Sequence, residues 1–331
     1  MRRKFFLLLV TDYWLLVTFI GCGPSYPETR VKESIIKICK KEYGLDVKVA
    51  TVGKTITIYL PLTQLIDFTF AITKEASEKI NDVILTAARV TLSTDAKVDF
   101  YCIIAHDVRI PEIQIVIVKY VDDVKRFLLN DISRGEYSKR MLVDIRLSPQ
   151  AQKERAIKDV FSKMKLDEKW EDQVMNEFFR AEPTGLGEMG YWEGRFYIKD
   201  VTLAEFLAEQ TANRIKMEFK EDRFLSDNFL MKSAKGTYVS KEDERYFRFD
   251  VSAAPNGEAV EMSAQELQNK VNQAALRIAY QVLHGYRFED FNYVLVVDIT
   301  DDRATKVLKE DLKNFRSKNA KLDGAMEVEV Y

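Results

Sequence analysis

Two stretches of the chain, residues 98–105 and 291–298, are apolar at successive positions rather than at every second one. A strand with one wet face alternates; a strand apolar on both sides belongs inside a sheet. Each stretch follows a segment with apolar residues three and four apart. Ile80, Val83, Ile84 and Ala87 share a face in the first, and Val271, Ala274, Ala275 and Ile278 in the second. Ser263 with Glu266 three residues on is a capping box opening the second helix. A helix leading into a buried strand, twice, restricts the chain to layered α+β architectures.

The flanking segments extend the parallel. Val31, Ile35, Ile38 and Cys39 recur at helical spacing and Gly44 supplies a stop. Residues 45–49 and 55–59 alternate around the hairpin signal at Gly53. The spacing predicts a helix from about Lys74, a strand over 113–118 after Pro111, and a closing helix marked by Val121, Val124 and Leu128. Later, 203–213 reads as helix, 215–219 as strand and 246–251 as strand. Val307, Leu308, Leu312 and Phe315 mark a last helix. Laying 79–107 on 270–298 without a gap aligns Lys79, Asn81, Leu85, Ala88, Leu92, Asp99, Phe100 and Asp107 with Lys270, Asn272, Leu276, Ala279, Leu283, Asp290, Phe291 and Asp298. We read an α+β chain of two duplicated two-layer α/β sandwich units, 31–148 and 201–331, with side-by-side packing as a pseudo-dimer one arrangement.

Residues 149–200 join the units. Ile157, Val160, Phe161 and Met164 form one helical stripe, and Trp170, Val174, Phe178 and Phe179 another, with a turn at 165–167; this predicts a helical hairpin. A loop rich in glycine and aromatic residues follows at 183–197. Tyr191, Trp192, Arg195 and Phe196 are its candidate interaction residues, because rigid aromatic side chains anchor interfaces at low entropic cost.

The N-terminus carries Arg2, Arg3 and Lys4, then an apolar run over 5–20 interrupted by Asp12, then Phe19, Ile20, Gly21 and Cys22. This resembles the lipobox-type signal of bacterial lipoproteins, with phenylalanine where leucine is usual at position 19. The resemblance implies a signal peptide at 1–21, a thiol at Cys22 carrying lipid (palmitate among its chains), and a tether at 22–30. The product this resemblance implies is an exported, membrane-anchored lipoprotein. In a two-membrane envelope, Gly23 after the cysteine resembles the signal for the outer membrane facing the periplasm.

Loss of residues 1–21 removes three basic groups and one acid, taking the formal net charge from −2 to −4. No basic excess is present to neutralise a phosphate backbone, so no nucleic-acid partner is expected. Cys39 and Cys102 read as two buried small apolar residues, with a disulfide between them the alternative that an exported compartment permits.

Catalytic, cofactor and metal motifs are weak. Gly185, Gly187 and Gly190 match a dinucleotide-binding turn, but they follow a helical segment and precede a strand-like run at 195–198, the reverse of what phosphate binding at a helix N-terminus needs. Ser34 with Lys37, and Ser162 with Lys165, match Ser-x-x-Lys without the companion motifs of penicillin-recognising enzymes. His106 and His284 are the two histidines, and neither has a nearby metal-ligand spacing. No catalytic residue, cofactor or metal is therefore assigned.

Leu65 to Phe68, then Ile72 to Ala76, a long helix, and a strand ending Ala105, His106, Asp107 resemble the first half of an OmpA-like peptidoglycan-binding domain, over residues 60–107. The resemblance implies that Asp107 binds the peptide-stem amine. The arginine-bearing helix that follows in that family is replaced by the strand at 113–118. The expectation is a lipid-anchored envelope protein acting as a non-catalytic scaffold or binding module, with an envelope protein as partner. The alternatives are a peptidoglycan-binding module of OmpA-like type and an exported hydrolase without a recognisable motif.

Overall fold

In a computed structural model the described residues are 25–67, 71–147, 186–242, 244–256, 263–299, 303–317 and 326–329. They form an α+β protein with seven α-helices and three sheets. Helix α1 (Val31–Tyr43) ends at Gly44, whose φ of +69° is open to glycine without strain. Strands β1 (Lys48–Val52) and β2 (Thr55–Leu62) form a hairpin through Gly53. Helix α2 (Lys74–Leu92), capped by the Thr73 hydroxyl, crosses over to β3 (Phe100–Asp107), which lies parallel to β2. Antiparallel β4 (Ile110–Tyr120), helices α3 (Val121–Leu128) and α4 (Arg134–Lys139), and antiparallel β5 (Leu142–Leu147) complete the first sheet, order β1-β2-β3-β4-β5.

A short hairpin, β6 (Gly190–Trp192) and β7 (Arg195–Tyr197), precedes the second unit. There α5 (Leu203–Glu221) and α6 (Arg223–Asn228) lead into β8 (Phe229–Lys241) and β9 (Glu244–Pro255). Helix α7 (Ala264–Gly285) crosses over to β10 (Tyr293–Asp298), parallel to β9. Then come β11 (Arg303–Leu308), a 3-10 turn (Leu312–Arg316) and β12 (Met326–Glu329). The second sheet has the order β8-β9-β10-β11-β12. Its succession of antiparallel, parallel, antiparallel and antiparallel pairings is that of the first sheet. Asp107 and Asp298, aligned in sequence, each close a strand beside its parallel neighbour.

Two expected elements are corrected. Residues 215–219 belong to α5, not to a strand: Ile215 and Phe219, four apart, are buried while Met217 between them is exposed. The expected last helix is instead β11 followed by the 3-10 turn, because ladder bonding continues through Leu308 and Leu312 and Phe315 insert one turn later. The expected helical hairpin, with Ser162 and Lys165, lies outside the described residues.

The units stack in layers rather than side by side. One face of the first sheet (Ile58, Ile103, Ile115 and their neighbours) packs under α1 and α2. The opposite face, through Tyr59, Phe100, Cys102, Ile104, Val116 and Val118, enters one core with α5, α7 and the inner face of the second sheet. The order is helix, sheet, helix, sheet, which is why β3 is apolar on both sides. Helix α5 lies so close to β8 that a Cβ on Gly236 would sit 2.0 Å from the Ala208 carbonyl oxygen. Cys39 and Cys102 are both buried and unpaired, one on each side of the first sheet.

Candidate interaction site

The segment expected as a glycine and aromatic loop is a tight hairpin. Glu193 and Gly194 both take positive φ, +44° and +82°, as a two-residue turn between twisted strands requires. Across it Tyr191 pairs with Phe196, and Trp192 with Arg195. Alternation along a strand puts the first pair on one face and the second on the other.

The inner pair is fixed on the first sheet. Tyr191 is 5% exposed and stacks on Tyr59 of β2 at 3.7 Å between ring centroids, while Phe196 meets it edge-on at 5.0 Å. The Tyr191 hydroxyl accepts a 2.5 Å bond from Lys48 of β1. Gln114 of β4, almost fully buried, accepts from the Tyr191 N–H at 3.0 Å and donates to its carbonyl. Below the hairpin, Arg146 of β5 donates to the Leu186 carbonyl at 2.5 Å. Three strands thus hold the hairpin on the first sheet, and a fourth holds the segment that leads into it. The outer pair differs: Trp192 is half-buried and Arg195 exposed.

His106 lies under this contact. Its Nε2 is 3.2 Å from the Tyr59 hydroxyl, and burial holds its pKa down at about 4, against a smaller opposing pull from Asp107. Asp107 is fully buried. Burial alone would raise its pKa, but bonds from the Arg109 guanidinium and from the Arg109 and Leu65 N–H groups outweigh it, and the carboxyl sits below its usual range. Asp107 is therefore committed to the turn that closes β3. His284 stacks on Tyr280 at 5.1 Å in the last turn of α7, away from this contact. Gly187 lies in the turn leading into β6 and Gly190 is the first residue of that strand, so a strand rather than a helix follows; Gly185 is outside the described residues. Ser34 and Lys37 lie on α1.

A second polar cluster, not anticipated from sequence, clamps the two units. Arg140 donates to Asp123 at 2.7 Å and to Glu136 at 2.7 Å, and Arg214 of α5 reaches Glu136 at 2.8 Å. Tyr286, just past α7, donates to Asp123 at 2.5 Å, and Gln210 of α5 donates to the Arg140 carbonyl at 2.8 Å. Burial raises the Asp123 pKa, against the bonds from Tyr286 and Arg140; burial works against the Arg140 charge, and its bonds to Asp123 and Glu136 more than restore it. Nearby, burial lowers Lys119 to about 8, and its ammonium bonds the Tyr137 hydroxyl at 2.6 Å. The charged groups are paired with one another, as buried ions must be, while Arg214 Nε and Gln210 Oε1 are buried without a hydrogen-bond partner.

An open cleft of about 620 Å³ runs past Glu242, Arg245, Asp290 and Lys309. Both of its cations are paired within it, Arg245 with Asp290 and Lys309 with Glu289 at 2.5 Å. Among the described residues no three histidine, cysteine or acidic side chains gather as metal ligands, and no helix is long and apolar enough to cross a membrane. In comparisons with known proteins, no family model, no curated protein and no solved structure matches this chain.

Proposed function

We propose that the protein is a lipid-anchored envelope lipoprotein, attached through Cys22, that works as a non-catalytic scaffold or binding module for an envelope partner. In a two-membrane cell it would face the periplasm from the outer membrane. The observation that carries the binding role is the two-faced hairpin. Tyr191 and Phe196 are consumed in the chain's own core, which leaves Trp192 and Arg195 on the outward face of a rigidly mounted turn. A mounted aromatic with a cation beside it is a low-entropy anchor for a protein surface. The coincident strand order of the two sheets supports descent of both units from one duplicated sequence. Asp107, closed off by Leu65 and Arg109, gives little support to wall binding of the OmpA-like kind. The anchor is tested by feeding cells a clickable fatty acid. Wild type should take up label that Cys22→Ala does not, and equal labelling of the two would end the lipoprotein reading.

A further inference from the structure

Helix α3 ends in a tightly locked cap that holds two leucines out in solvent. Leu128 is 61% and Leu129 79% exposed. Asn130 takes the left-handed conformation at φ +58°. Its N–H bonds the Phe127 carbonyl at 3.0 Å, and the Asp131 N–H bonds that of Arg126 at 2.8 Å. This is a Schellman termination. Such a cap commonly carries an apolar contact between its third-last helical residue and the second residue beyond. Here that pair is ionic, Arg126 to Asp131 at 2.6 Å, so neither leucine is drawn inward. Arg126 also donates to the Gly285 carbonyl at 3.0 Å, tying the tip to the end of α7. Exposed leucines on a freely moving loop would be unremarkable; on a cap fixed at three points they form a presented surface.

The surroundings are cationic. Lys125, Arg134 and Arg287 are exposed about the tip, whereas of the neighbouring acids Asp131 is paired with Arg126 and Asp123 and Glu136 with Arg140, leaving Asp122 against three cations. Helix α3, which carries the tip, starts at the end of the first sheet to which the N-terminal segment returns. Tyr26 donates to the Ser93 carbonyl at 3.2 Å just past α2, and α3 starts from the same end, with the Val121 N–H on the Asp99 carbonyl at 2.9 Å. From there α3 runs eight residues, about 12 Å. Cys22 precedes Tyr26 by four residues, which span at most about 14 Å.

We propose that Leu128 and Leu129 insert into the interface of an anionic bilayer, with Lys125, Arg134 and Arg287 at the headgroups, so that the lipid-anchored protein stands on its membrane in one orientation. The inference rests on the lipoprotein reading for its geometry and on the tip alone for its chemistry: an apolar pair in a basic rim fits an anionic lipid surface. This orientation turns the protein's other faces, including the hairpin, toward partners in a fixed way.

Full-length protein carrying Leu129→Cys, with Cys39 and Cys102 buried, is labelled with an environment-sensitive NBD dye and mixed with vesicles containing phosphatidylglycerol. The expected result is a blue shift with a severalfold gain in emission. Zwitterionic vesicles should give a smaller gain, a dye at Leu85→Cys on α2 little change, and Lys125→Glu with Arg134→Glu the loss of at least half the gain. Unchanged emission at position 129 on vesicles that carry the protein through flotation would overturn the proposal. So would a shift that appears only when envelope proteins are added, since a protein would then cover the tip. Peptide mass analysis keeps the two readings apart: a second dye on Cys22 counts against the lipid anchor and leaves the result at position 129 to stand or fall by itself.

Discussion

Truncating Tyr191 and its neighbour Trp192 should have sharply different consequences, although the two are adjacent in sequence and both aromatic. Tyr191→Ala removes a nearly fully buried ring that stacks on Tyr59 at 3.7 Å and meets Phe196 at 5.0 Å. Loss of a buried aromatic costs about 3–5 kcal/mol. The hydroxyl contributes about 0.5–1.5 kcal/mol of this through Lys48, so Tyr191→Phe should lose only that share. Trp192 is half-buried on the opposite face, and Trp192→Ala should cost about 1 kcal/mol or less. At roughly 2 °C per kcal/mol for a chain of this size, Tyr191→Ala should lower Tm by about 6–10 °C and Trp192→Ala by about 2 °C or less. Scanning calorimetry of the three variants reads this directly. Equal losses for the two alanine variants would refute the assignment of inner and outer faces, and with it the hairpin as a presented surface.

Three further outcomes follow from the packing and charge. Asp123→Ala leaves Arg140 buried without its main partner and should cost about 3–5 kcal/mol in urea unfolding. Gly236→Ala forces a Cβ onto the Ala208 carbonyl and should lower the unfolding midpoint by the equivalent of about 1–3 kcal/mol; an unchanged midpoint would show that α5 can move off β8. His106 has its pKa lowered from 6.5 to about 4 in the fold, so the unfolded chain binds the extra proton first. Stability should therefore fall by about 3 kcal/mol as pH drops from above 6.5 to 4, and urea titrations of His106→Gln across that range should show a correspondingly flatter slope.

The sequence made the middle of each unit legible. Helices α2 and α7 carry long stripes at helical spacing and explicit caps at Thr73 and Ser263, and β3 and β10 are apolar on successive positions because both sides are covered. Ile215, Met217 and Phe219 misled because three apolar residues at alternate positions imitate a strand, and only the exposure of Met217 separates the two periods. Val307 to Phe315 imitated a helix because a strand and a 3-10 turn happen to place apolar residues at compatible intervals. The hairpin's residues were found from their composition, but their two faces were not. Lys48, Tyr59 and Gln114, which decide that Tyr191 turns inward, lie 143, 132 and 77 residues away in sequence. The Asp123–Arg140–Tyr286 clamp was hidden for the same reason: ordinary surface residue types become a buried network only when the layers stack.

The claim that this chain is a binding module rests on the outward face of the hairpin, and a photo-crosslinking amino acid at position 192 in living cells tests it most directly. The account predicts a discrete crosslinked adduct at position 192 that is lost with Arg195→Glu and does not form from the exposed position 85 on α2. No adduct at 192, or the same smear of products from both positions, would contradict it.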